Sequence, residues 1–338
     1  MGNLTRHGRN FYLKRHDFVS CRAFLVLLLF AVGIATGCQR EGPYPSREIE
    51  FVIPFPPGGP ADAAARLIQP KMSELLGIPV VLVNKPGGSG ALGADAIAKA
   101  PADGYHVLAT SNSVLTVLPA TQMGLTYHAS DFIPLGGYIS DWGVIAVKPD
   151  SPWKDLEQFV DFARKNPGKL RYGSAGAGTV SFFAMELLKR SYGLEITPVP
   201  FPGSAPARDA LMGGHVDLAA FGFASAGPLI AAGELRALAT TATDRLSKYP
   251  DIPTLYEKGF EEASLSIWMG LFVPAATPQE IRDRLATALA EAMQDPAVVE
   301  AVDKAGLSVD YRNPDATRRE IESESAMIRA TVGKLGFD

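Results

Sequence analysis

Cysteine is nearly missing from this chain: its 338 residues contain two. Two cysteines can build neither a disulfide framework nor a zinc site. Histidine is sparse as well, and His106, His128 and His215 are scattered without metal-ligand spacing. Only 20% of residues are charged, with a net charge of −4, so no basic surface advertises nucleic acid. The apolar run Ala23–Ile34 is 12 residues long, short of the roughly 20 that a spanning helix needs. Internal repeats and low-complexity segments are absent too. What is present is ordinary globular composition, 47% hydrophobic with 33 Gly and 26 Pro, and a length that suits two domains with separate cores.

The short apolar run follows Arg6, Arg9, Lys14, Arg15 and Arg22, opposed by Asp17 alone. A basic segment, a short apolar segment and small residues after it read as a secretory signal rather than a core helix. The small residues end in Ala35-Thr36-Gly37-Cys38, which resembles a bacterial lipobox, although Ala35 stands where Leu is usual. The expectation is a signal over 1–37, lipidation at Cys38 and a polar tether over 38–46. Cys21 leaves with the leader, so the mature chain has no other thiol, as suits an oxidising envelope compartment. That mature chain carries 27 basic and 35 acidic residues, a net −8. Its own surface is not suited to membrane binding.

Beyond the tether, strand and helix alternate. Glu48–Ile53, Val80–Val83 and Tyr105–Thr110 read as strands, with helices from about Ala61 to Leu76 and over Ala91–Lys99. Gly77 ends the first helix, and Pro70 inside it predicts a kink or a boundary. Val144–Val147 is a further strand, and Ser151-Pro152 reads as the start of a helix. A second run alternates strands at Leu170–Gly173, Glu195–Pro198, Leu218–Ala220 and Ala237–Thr240 with helices at Thr179–Arg190, Ala205–Met212 and Gly227–Ala232. Ile267–Val273 is a strand, Thr277-Pro278-Gln279-Glu280 a capping box opening a helix, and Arg318–Leu335 a closing helix. The alternation argues an α/β protein with parallel pairing, and ligands of such sheets bind at the loops after the strands.

Four such loops are rich in Gly and hydroxyls: Pro54–Asp62, Thr110–Ser113, Gly173–Thr179 and Pro202–Pro206. Glycines let backbone N–H groups approach a ligand, and a following helix favours an anion. None contains Lys or Arg. An anion there is held by amides and hydroxyls, which suits reversible capture. Each loop taken singly also reads as a tight turn. Gly88-Ser89-Gly90-Ala91-Leu92-Gly93 is a literal G-x-G-x-x-G, but the next strand ends in Thr110-Ser111-Asn112 without the acid that a ribose needs. Neither a dinucleotide nor any other cofactor is expected. Ser174 lies outside a nucleophile-elbow motif, and Asp62 reads as a helix-start residue, so no catalytic or metal-binding residue is assigned.

The stretches Ile53–Asp62, Val81–Gly93, Asp103–Tyr105, Asn166–Thr179, Val199–Pro206, Gly213–Asp217, Gly233–Ala239, Pro250–Thr254 and Trp268–Pro278 together resemble the receptors of tripartite tricarboxylate transporters, the Bug family. The resemblance covers nearly all of the mature chain in order. It implies a type II, two-lobe periplasmic binding protein fold, each lobe a mixed sheet flanked by helices. Lobe 1 would comprise 47–147 plus 268–338, and lobe 2 148–267. It also implies a monomeric periplasmic receptor that captures a small organic carboxylate and passes it to integral-membrane transporter subunits. The alternatives are a sensory protein presenting its ligand to a membrane kinase and a secreted α/β hydrolase.

Carried onto this chain, the resemblance assigns ligand-binding roles to Phe55, Gly58 and Gly59, to Ser111, Asn112 and Ser113, and to Ser174, Gly178 and Thr179. It adds Gly203, Ser204 and Ala205. Phe182 stands where the family often has His, and Phe201-Pro202 where it often has Tyr-Lys. These losses of polarity suggest a mono- or dicarboxylate whose apolar body rests on Phe182 and Phe201; the alternative is that both pack into the core.

Overall fold

The computed structural model describes Gly2 and residues 43–335. The expected leader, Cys38 and most of the tether lie outside the described residues. From Pro45 onward the described chain forms a single unit.

Short apolar runs set the first strands. In β1 (Ile49–Ile53) only Glu50 is even partly exposed, the pattern of a strand covered on both faces. Helix α1 (Pro60–Leu76) then packs Ala64, Ala65, Ile68 and Met72 inward at helical spacing. It runs across Pro70 without interruption, with that residue on its exposed face. Gly77 adopts a left-handed conformation, φ 74°, and its N–H closes the helix on Ser73 and Glu74 carbonyls. β2 (Val80–Asn84), α2 (Ala91–Ala98), β3 (His106–Ser111) and a short α3 (Val117–Thr121) follow. β1 pairs parallel with both β2 and β3.

The 16-residue β4 (Phe132–Val147) is much longer than the expected Val144–Val147. Its early part carries Pro134, Gly136, Gly137, Ser140 and Asp141, an unlikely strand composition, and its register shifts at Pro134/Gly136 and Gly137/Ile139. Such bulges accommodate residues that a flat ladder rejects. Gly136 sits at φ 153°, and a Cβ there would come within 2.9 Å of the Arg312 carbonyl.

The second run comprises α4 (Leu156–Lys165), β5 (Leu170–Ser174), α5 (Val180–Tyr192), β6 (Ile196–Pro200), α6 (Ser204–Met212), β7 (Leu218–Gly222), α7 (Gly227–Ala231) and β8 (Arg236–Thr240). The chain closes through β9 (Ser266–Pro274), α8 (Gln279–Ala292), α9 (Pro296–Lys304), β10 (Ser308–Arg312) and α10 (Pro314–Leu335). α9 and β10 had no sequence prediction. The expected capping box at Thr277 does not form: Pro278 is the N-cap, and the Thr277 hydroxyl is buried without a partner among the described residues.

Two sheets result, and β4 belongs to both. In the first the order is β2-β1-β3-β9-β4-β10; in the second, β6-β5-β7-β4-β8. Pairing within β1–β3 and β5–β7 is parallel, as the alternation predicts. β4 and β9 instead run antiparallel to their neighbours, which makes both sheets mixed. Helices flank them: α5 and α6 pack on the second sheet, and α8 and α10 on β4.

Helix α4 corrects the expected start at Ser151-Pro152. Its N-cap is Asp155, whose carboxylate accepts from the Gln158 N–H at 2.8 Å. Leu156, Phe159, Val160 and Ala163 then form the buried face. A full burial of residues such as Leu156 or Phe159 contributes roughly 1.5–3 kcal/mol. Asp155→Ala is expected to cost about 1 kcal/mol in denaturant unfolding, a typical cap loss, while Ser151→Ala leaves the midpoint unchanged.

Candidate functional site

The loops after β1, β3 and β5, the start of α6 and the β9 crossing meet around one cavity of about 40 Å³, room for roughly three waters. Its polar lining is made of hydroxyls: Ser111, Ser113, Thr179, Ser181 and Ser204. Its apolar lining includes Phe55, Pro56, Val180 and Ile267. No Lys, Arg, His, Asp or Glu is among the lining residues.

Helix geometry supplies the electrostatics. The first residues of three helices line the cavity: Pro60 and Ala61 of α1, Val180 and Ser181 of α5, and Ser204 of α6. Helices end at their N-termini in unpaired N–H groups and about half a positive charge. At α1 and α6 the N-caps are Gly59 and Gly203, which have no capping side chain. At α5 the Thr179 hydroxyl accepts weakly from Phe182 N–H at 3.4 Å. Three helix N-termini therefore face a small uncharged cavity, which favours an anion held by backbone dipoles and hydroxyl donors.

The loop Pro54–Pro60 is held in shape by Asp62. Its carboxylate accepts from Gly58 N–H at 3.0 Å, from Asn84 Nδ2 at 3.0 Å and from both Nε and Nη2 of Arg66. Burial alone would raise this acid, but the bonds from Arg66, Gly58 and Asn84 hold it below the usual carboxylate range. Its role is to fix the loop from outside the cavity. Across the cavity Ser111 and Ser113 share a 2.9 Å hydrogen bond, and Ser204 accepts from Gly222 N–H.

Of the residues assigned from sequence, Phe55, Gly59, Ser111, Ser113, Thr179 and Ser204 come together on the lining. Gly58, Gly203 and Ala205 lie where the two sheets' loops touch: Ser225 Oγ donates to the Gly58 carbonyl, and a Cβ at Gly203 would stand 2.8 Å from Pro56. Gly178 meets Leu118 in the same way. Asn112 and Ser174 are fully buried away from the lining; the Ser174 hydroxyl finds no partner among the described residues. Phe182 stacks on Tyr172, with ring centroids 6.3 Å apart, and Phe201 packs on the core of the second sheet, so neither lines the cavity. Ser181, two residues beyond the loop Gly173–Thr179, and Ile267, the first residue of the expected strand Ile267–Val273, line the cavity without an assignment from sequence.

One ionisable group lies at the seam. Asp141 of β4 is 2% exposed and accepts from Ala224 N–H at 3.2 Å. Gly222 packs beside it, where a Cβ would come within 2.7 Å of Asp141 Oδ2. Burial pushes Asp141 up to about 7, against the pull of the Trp142 and Ala224 amides.

A mixed α/β chain that closes a small anion-favouring cavity between two sheets has the architecture of a periplasmic binding protein. A family profile described as "Tripartite tricarboxylate transporter family receptor" matches residues 64–337, and the chain belongs to that family. It is 37% identical over 293 residues, 86% of this chain and 87% of the relative, to the "UPF0065 protein in tcbD-tcbE intergenic region" of Pseudomonas sp. strain P51. To Protein BugT of Bordetella pertussis it is 32% identical over 319 residues, 93% of this chain and 98% of the relative. MatC from Rhodopseudomonas palustris with bound malate, 30% identical, superposes at TM-score 0.82 over 86% of this chain and all of its own. An R. palustris protein with adipate, also 30% identical, gives 0.82 over 87% and 98%. A TctC solute-binding protein from Polaromonas without ligand, 30% identical, gives 0.63 over 86% and 100%. The family is one of periplasmic solute receptors, and no helix among the described residues is long and apolar enough to cross a membrane.

The seam acid predicts a pH dependence. A carboxyl raised to about 7 takes up its proton in the folded state before the unfolded chain does. Its penalty is therefore complete above about pH 7 and is relieved as pH falls toward the unfolded value of about 3.9. Thermal unfolding is expected to show stability rising from pH 8 to pH 5. Asp141→Asn reduces that slope, and an unchanged slope would remove Asp141 as its source.

Proposed function

We propose that the protein captures a small organic mono- or dicarboxylate between its two sheets and delivers it to the membrane subunits of a tripartite tricarboxylate-type transporter. The observation that carries this reading is the convergence of three helix N-termini and five hydroxyls on a cavity without a cation. Such a site holds a carboxylate by charge-assisted hydrogen bonds and can release it. Malate and adipate in the R. palustris relatives support the ligand class. Phe55, Val180 and Ile267 take the place of Phe182 and Phe201 as the surface for the ligand's carbon body.

In this reading the lobes are 47–147 plus 268–338 and 148–267, and they close by a hinge at β4 and β9. At 30% identity the relatives with malate and adipate match at 0.82 and the one without ligand at 0.63, which supports a closed arrangement here. The receptor works as a monomer, anchored to the envelope by a lipid on Cys38. Membership of a family of solute receptors favours this reading over that of a secreted hydrolase.

Thermal unfolding of residues 39–338 with a panel of carboxylates, malate and adipate among them, tests the ligand class. An acid at 100 times its dissociation constant adds about 2.7 kcal/mol and raises the midpoint by several degrees. No shift with any acid, and no acid released on denaturing the purified protein, would refute the carboxylate reading.

Closure has a separate test. A Cβ at Gly222 collides with Pro60 across the seam. Gly222→Ala is expected to hold the lobes apart, enlarge the radius of gyration in small-angle scattering and weaken binding at least tenfold. A variant as compact as the parent would argue against the hinge.

A further inference from the structure

The cavity's serine loop is tied to the closing helix of the chain through one buried acid. Glu324 of α10 is 7% exposed and lies more than 200 residues from the loop in sequence. Its Oε1 accepts from Asn112 Nδ2 at 2.7 Å and from Thr116 Oγ1 at 3.0 Å; its Oε2 accepts from Trp268 Nε1 at 2.9 Å. The second hydrogen of Asn112 Nδ2 goes to the Ser266 carbonyl at 3.1 Å. Asn112 thus spends its amide group away from the cavity, while its neighbours Ser111 and Ser113 face into it. Trp268 in turn adjoins Ile267 on the lining.

We propose that Glu324 is a positioning residue of the ligand site, a carboxylate that fixes the Ser111–Ser113 hydroxyls and the β9 crossing in one geometry from behind. This rests on the receptor reading above, since it assigns those hydroxyls to ligand.

The chemistry requires an acceptor at both oxygens. Asn112 Nδ2 and Trp268 Nε1 have only hydrogens to offer, and each approaches a different oxygen of Glu324. A glutamine fills the same space but must turn its NH₂ toward one of these donors. One end of the tie is then lost, and a buried donor is left unsatisfied. Burial also makes ionised Glu324 costly and raises it to about 7, against the pull of the Trp268, Thr116 and Asn112 bonds. A group kept at that cost for packing alone could be replaced by an apolar one. Its three donors instead belong to the site's loop and to the crossing strand.

Ligand-free Glu324→Gln is the first test, with Thr317→Val as control. Thr317 lies on the same helix and bonds Gly137 N–H and the Arg312 carbonyl, away from the serine loop. Hydrogen exchange of the backbone amides of residues 111–116 is expected to quicken at least tenfold in Glu324→Gln and to stay near the parent rate in Thr317→Val. The Trp268 indole N–H resonance should move in Glu324→Gln. Equal exchange in the two variants, or an unmoved indole resonance, would overturn the proposal. If Glu324→Gln fails to fold, Asn112→Ala and Trp268→Phe take its place. Each cuts one arm of the tie, and unchanged exchange over 111–116 in both would equally overturn it. Titration with malate and adipate then reads the consequence: where the parent binds either, Glu324→Gln should bind at least tenfold more weakly, and equal affinity would count against the proposal. A parent that binds neither acid counts against the ligand class alone, because the exchange and indole readouts need no ligand.

Discussion

One strand belongs to two sheets, and the cavity exists because of it. Over its first part β4 is bonded to β9 and β10, over its last part to β7 and β8. A hydrogen-bonded strand is stiff along its length, so the two sheets cannot drift apart at this seam. They can only tilt about it. The loops of both sheets must then meet on one side, and the cavity lies where they do. The cost of the arrangement shows in β4 itself, where bulges and glycines interrupt the ladder and Asp141 is buried beside the point at which the strand changes partners.

The cavity's chemistry follows from what approaches it. Charged side chains would bind an anion more tightly, but the lining supplies only hydroxyls and helix ends. Partial charges fixed in the backbone need no reorganisation when a ligand arrives, and they clamp it less firmly than a guanidinium would. The acids stand one layer back: Asp62 accepts from the first glycine loop, and Glu324 accepts from both the serine loop and β9. Acids near the cavity thus serve geometry, while neutral groups line it. This division lets the site keep its shape without offering a permanent counter-ion.

Small residues let the loops of the two sheets come together. Gly203 against Pro56, Gly178 against Leu118 and Gly222 against Pro60 leave no room for a Cβ. Gly203, which leaves the α6 N-terminus without a side-chain cap, also lets the two sets of loops approach. A glycine-rich loop here serves contact between sheets as much as contact with ligand.

The local elements were legible in the residues. Helical spacing placed α1 and α5 within a residue or two, Gly77 stopped α1, and the four hydroxyl-rich loops contain most of the polar lining. Short-range physics governs all of these, since a turn, a cap or an amphipathic face is decided within a few neighbouring residues. The failures were non-local. Phe132–Gly143 has poor strand composition and becomes strand because β9 and β10 flank it on either side. Asp155 rather than Ser151 caps α4, and the Thr277 box gives way to Pro278. Phe182, in the first turn of α5, stacks on Tyr172, and Phe201 packs on the second sheet's core. Glu324 carried no signal in the sequence, because its partners lie at residues 112, 116 and 268. The sequence by itself determined most of the elements, the four loops and the absence of Lys and Arg from them. Only the tertiary structure decided which side chains face the cavity, because that depends on how two sheets sharing one strand bring distant residues together.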